Sequence, residues 1–232
     1  MKKLFAISIL LIMAGSSAYA ATISWANNMA PAAPGIVDLG VTSTNIKDDT
    51  NTFNLPVHSL NITNMPDIAL AGFMFQPMYT TTGNLSIKND GPGLEHGLGI
   101  LNTIGDGEIR LGYALQIDLS AFLFSNVALT VDSIDGPMEG YRIWGSSTAN
   151  GPMTLLLQGN FLTGGFVQTK NFDNTYKFFE LTSDTPHDAV SSLVMRSVVI
   201  NSAVPEPATL GMMGLGLVGA GLLRFRKKSG KR

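Results

Sequence analysis

Two acidic, glycine-rich turns hold the carboxylates best spaced for chemistry: Asn89-Asp90-Gly91-Pro92-Gly93-Leu94-Glu95 and Asp106-Gly107-Glu108. Calcium takes about six to eight oxygen ligands, so Asp90, Glu95, Asp106 and Glu108 make one calcium site with nearby carbonyls if the two loops meet. Asp and Asn in such turns more often serve local hydrogen bonds to the backbone, and both readings stay open. Paired carboxyls roughly 5 to 10 Å apart also hydrolyse glycosides. Asp106 and Glu108, two apart on an extended chain, point the same way, which permits that chemistry without requiring it. A third candidate is aromatic. Tyr141 and Trp144, with Trp25 and Phe166, offer ring faces that stack on sugars, and Arg142 stands beside Trp144, although a strand tryptophan more commonly packs in a core.

Other signatures of catalysis are missing. His58, His96 and His187 are scattered with no pair at metal spacing, and neither an H-E-x-x-H nor a G-x-S-x-G pattern occurs. Without cysteine there is no thiol nucleophile, no zinc thiolate and no disulfide. The expectation is a non-enzymatic protein with no cofactor, calcium being the one alternative and a glycoside hydrolase the lesser enzymatic one.

The elements that must position these residues read with a period of two. Leu115, Ile117 and Leu119 alternate with Gln116, Asp118 and Ser120, and Val127, Leu129 and Val131 alternate in the next run. Further strands are predicted over 140–144, 154–158, 165–170, 176–181 and 193–200, and upstream over 52–62, 71–75, 85–88 and 98–101. Tyr141, Ile143 and Gly145 share one face of their strand, while Arg142 and Trp144 share the other and are expected to face outward. Many short strands punctuated by Gly, Asn, Ser and Pro predict an all-β, antiparallel β-sandwich of jelly-roll type. The Pro-rich 29–35 stretch reads as an extended leader into the first strand.

The two ends carry the apolar excess. Residues 1–20 run from Lys2 and Lys3 through an apolar core to Ala18-Tyr19-Ala20, the order of a secretory signal peptide with cleavage after Ala20 by signal peptidase following Sec export. Residues 208–223 lack any charge. As a helix they cover about 24 Å, a little short of a hydrocarbon core of about 30 Å. Arg224, Arg226, Lys227 and Lys228 follow and, by the positive-inside rule, stay cytoplasmic. Three segments result: a signal peptide at 1–20, an extracytoplasmic domain at 21–204, and 205–232 made of Pro205-Glu206-Pro207, a transmembrane helix at 208–223 and a basic tail at 224–232. The middle segment holds 7 Lys/Arg against 16 Asp/Glu, a net charge near -9 that the whole-chain value of -2 conceals. Such acidity argues against nucleic acid as a partner.

Pro205-Glu206-Pro207, the glycine-rich apolar run and the basic tail resemble the C-terminal sorting signal of PEP-CTERM proteins of bacteria. The resemblance implies recognition by an exosortase, inner-membrane transit with the domain outside the cytoplasm, and a final place at the cell surface or in an exopolysaccharide matrix or biofilm. The prolines hold Glu206 in an extended segment. Inside the domain, Gly97-Leu98-Gly99-Ile100, Asp106-Gly107-Glu108-Ile109 and Ala114-Leu115-Gln116-Ile117-Asp118 are similar to a recurrent pattern of PEP-CTERM ectodomains. Gly112-Tyr113 stands where that pattern has an acidic residue. The resemblance implies an address and a fold and carries no chemistry; a carbohydrate-binding module for the exopolysaccharide is the alternative role, resting on the aromatic residues.

Overall fold

Side chains that alternate between apolar and polar must bury one face of each strand, and this chain solves the problem with two sheets sharing one core. In the computed structural model the described residues are 20–24, 35–47, 54–67, 70–80, 83–90, 95–101, 107–134, 139–160, 167–184 and 194–202. Among them are strands and turns but no helix. The strands are β1 (Ala20–Ser24), β2 (Gly35–Asp38), β3 (Ser43–Lys47), β4 (Asn54–Ile62), β5 (Met74–Phe75), β6 (Tyr79–Thr80), β7 (Asn84–Asn89) and β8 (His96–Leu101). They continue as β9 (Tyr113–Asp118), β10 (Phe124–Asp132), β11 (Gly140–Ser146), β12 (Met153–Asn160), β13 (Gln168–Asp173), β14 (Phe178–Ser183) and β15 (Val194–Ser202).

One sheet has the order β13-β10-β15-β8-β7-β2, with β1 also on β15; the other runs β3-β4-β9-β14-β11-β12-β5, with β6 on β4. The pairings within both are antiparallel. A single apolar cluster draws Leu85, Leu98, Val127, Leu129 and Val131 from the first sheet, and Leu115, Ile117, Ile143 and Phe179 from the second. The sheets therefore face each other across one sandwich-like core.

The apolar positions predicted for these strands enter the core, Leu115 and Ile117 in β9, Leu119 just after it, and Val127, Leu129 and Val131 in β10. Three expectations change. The chain enters the fold before the Pro-rich stretch, because Ala21 and Ile23 bury in β1 against β15. The strand expected over 71–75 shrinks to Met74–Phe75. β9 is buried on both faces rather than half-buried, since Gln116 is only 5% exposed. The residues after β4 explain this. Residues 63–67 and 70–80 form a cover on the outer face of the second sheet. The first segment lies on Arg142 through the Pro66 and Asp67 carbonyls, and with β5 and β6 paired at the sheet's margins, Met65 and Phe75 pack on Trp144, Met153 and Leu155 and Tyr79 on Glu180.

Candidate functional site

The acidic turns converge, and they do so on a lysine. In β7, Leu85 and Ile87 enter the core, which sends Ser86 and Lys88 to the opposite face. In β8, Leu98 and Ile100 do the same and leave Gly97 and Gly99 on that face. A Cβ on Gly99 would stand 2.0 Å from the Gly107 carbonyl oxygen, so the bare glycine lets the 107–108 backbone cross the sheet. Ser86 Oγ donates to the Gly107 carbonyl at 3.2 Å, and Gly107 takes a φ of 71°. The crossing delivers Glu108 to Lys88.

Lys88 Nζ donates to Glu108 Oε1 on one side and to Glu95 Oε2 on the other, with Asp90 Oδ2 at 3.2 Å. Lys88 and Glu108 are 8% and 5% exposed, so this is a buried charge cluster. Burial works to lower the Lys88 pKa, but the hydrogen bonds and charges of Glu108 and Glu95 outweigh it and raise it above the ordinary lysine value. For Glu95, burial works upward, but Lys88 and its other hydrogen-bond partners hold the carboxyl below its usual range. Ser133, buried and in left-handed backbone at a φ of 72°, stands beside Glu95. Three of the four carboxylates read as calcium ligands thus surround an ammonium group; Asp106 lies outside the described residues. Among the described residues no group of three His, Asp or Glu is arranged to hold a metal ion.

The second cluster lies on the outer face of the other sheet. Phe179 and Leu181 of β14 enter the core, so Glu180 and Thr182 face outward beneath the cover. Tyr79 Oη donates to Glu180 Oε1 at 2.5 Å and Gln116 Nε2 donates to the same oxygen at 2.7 Å. Glu180 Oε2 is buried without a partner. Burial pushes the Glu180 carboxyl up to about 7, with the two hydrogen bonds pulling the other way. Trp144 Nε1 donates to Thr182 Oγ1 at 3.0 Å. Arg142 Nε lies 2.7 Å from Asp184 Oδ1, and its terminal nitrogens donate to the carbonyls of Pro66 at 2.7 Å and Asp67 at 3.0 Å.

This placement bears on the aromatic candidates. Tyr141 points into the core, where its hydroxyl donates to Gln168 Oε1 at 2.9 Å and burial pushes its pKa up to about 12. Arg142 and Trp144 do share the outward face, yet both are buried because the cover lies over them. None of the three presents a ring or guanidinium to solvent. Trp25, Phe166 and His187 lie outside the described residues, as do Ala18, Pro205, Glu206, Pro207, Arg224, Arg226, Lys227 and Lys228. Sequence reading missed Lys88, Glu180 and Asp184. Lys88 and Glu180 sit at polar positions of alternating strands, a signal that marks the face but not what covers it.

Glu180 gives a pH dependence. Its folded pKa is raised above the ordinary 4.5, so its stabilising contribution is fully present below about pH 4.5 and is lost as the pH rises through about 7. Glu180→Gln keeps an acceptor for Tyr79 and Gln116 without the charge. It is expected to stabilise the protein at pH 8 by on the order of 2–3 kcal/mol, with little gain at pH 4, in urea melts at both pH values.

The last strand of this antiparallel all-β body ends at Ser202, and residues 203–227 match the PEP-CTERM protein-sorting motif. The chain therefore carries a PEP-CTERM sorting signal, which implies export toward the cell surface and processing by an exosortase. No curated protein and no solved structure matches the chain.

Proposed function

We propose that the mature protein is a non-enzymatic component of the extracellular matrix or cell envelope, delivered by its sorting signal and held among exopolysaccharide. The observation that carries this reading is the sorting motif at 203–227, which follows the last strand of a β body. In this reading the sandwich winds as a jelly roll, the signal peptide is removed after Ala20, and 208–223 cross the inner membrane as a helix in transit. Register supports the two-ended address. Ala20 pairs with Asn201 and Ala21 with Ile200, so the chain enters and leaves the domain at one end of the same sheet.

The burial of the candidate chemistry supports a structural role. Glu108, the described half of the carboxylate pair considered for glycoside hydrolysis, is bound to Lys88 instead of facing an open cleft. Cell fractionation tests the proposal. The wild-type protein is expected in the surface or matrix fraction, and Glu206→Ala is expected to remain with the membrane. Turnover of polysaccharide by the purified protein, or equal distribution of the two forms, overturns it.

A further inference from the structure

The cover has two faces of opposite character. Phe75 packs inward on Trp144, and the Tyr79 hydroxyl reaches Glu180. Their neighbours turn the other way: Met74 and Met78 are 62% and 58% exposed, with Leu70 at 78% and Phe73 at 40%. The backbone that carries these four is braced. Phe73 N donates to the Leu70 carbonyl and Leu155 N to the Phe73 carbonyl, both at 2.8 Å. The Asn64 side chain accepts from Met78 N and donates to the Gln76 carbonyl, both at 2.7 Å, while Gln76 Nε2 donates to the Asn150 carbonyl at 2.9 Å. The apolar side chains therefore stand on a held loop, and little ordering remains to be done when a partner covers them.

We propose that this outer face of the cover is where two copies of the chain meet, each setting Leu70, Phe73, Met74 and Met78 against the same residues of the other about a two-fold axis. Two observations select a second copy. The first is area. At these exposures the four side chains offer on the order of 400 Å² of apolar surface, and a standard interface takes about 800 Å² from each partner, a little over half of it apolar. The second is charge. No charged residue stands between Asp67 and Lys88, in a segment, 21–204, whose net charge is near -9. Two such domains repel each other wherever carboxylates would meet, and a face without charge is where they close. A membrane surface is anionic and draws on cations, which this stretch lacks. Methionine suits a face that must fit its own copy, because its unbranched chain repacks around what it meets.

The chain has no cysteine, so one introduced thiol reports one position. Full-length Met74→Cys and Met78→Cys are expressed in an exporting host and treated with a short bismaleimide before lysis. Each is expected to give a species with the mass of two joined copies. Leu123→Cys, at an exposed leucine outside the cover, is expected to stay at the mass of one copy. Adding Met74→Lys to Met78→Cys sets like charges against each other across the axis, and is expected to abolish the doubled species with the melting temperature unchanged. Failure of both methionine positions to cross-link overturns the proposal. So does equal cross-linking at Leu123, a doubled species that survives Met74→Lys, or a product that joins the chain to a different protein.

Discussion

Arg142→Ala is expected to destabilise the protein by about 3–5 kcal/mol, because removing one partner of a buried pair strands the other. Asp184 is 4% exposed; it would keep the neutral donor Gln158 Nε2, at 2.5 Å, but lose the guanidinium that balances its charge. The same substitution removes the donors to the carbonyls of Pro66 and Asp67 and so loosens the cover over Trp144. Urea unfolding followed by tryptophan fluorescence measures both effects: a lower midpoint, and a red shift of the native emission. A double variant, Arg142→Met with Asp184→Leu, is expected to lose less than Arg142→Ala alone, since no charge is left unpaired. A double variant that loses the sum of the two single changes would contradict the pair.

Gly99→Ala is the second large effect. The added methyl would stand 2.0 Å from the Gly107 carbonyl oxygen, a backbone atom that no side-chain rotation moves aside. The crossing segment must lift, and Glu108 leaves Lys88. The expected loss is on the order of 2–4 kcal/mol. Ser86→Ala removes only the 3.2 Å hydrogen bond to the same carbonyl and is expected to cost about 1 kcal/mol. Thermal melts that rank the two variants in the opposite order would mean that the crossing does not depend on the bare glycine.

Much of the sheet framework was legible because a strand with one face in the apolar core writes its period into the sequence, whatever later covers its polar face. Leu115-Gln116-Ile117 and Val127-Ala128-Leu129 announce β9 and β10 for that reason. β1 was not legible: five residues at the join with the signal segment carry too short a pattern, and Ala21 and Ile23 bury only because β15 lies beside them. β5 and β6 have two residues each, below any period. The outer faces were read as solvent-facing because local pattern shows which side a residue takes, not what folds over it. Phe75 packs on Trp144, and Tyr79 reaches Glu180 across 101 positions of sequence, an arrangement fixed by tertiary packing. The Gly97-Leu98-Gly99 pattern was visible, but its purpose depends on where residues 107–108 pass.

The two-ended address is the central claim, and the intact mass of the mature protein tests it most directly. Protein purified from the surface fraction is predicted to begin at Ala21 and to end at or near Pro205-Glu206-Pro207, with Glu206→Ala giving a chain that still extends to Arg232 and stays with the membrane. A wild-type mass that includes Met1 or reaches Arg232, or identical mass and location for Glu206→Ala, would contradict it.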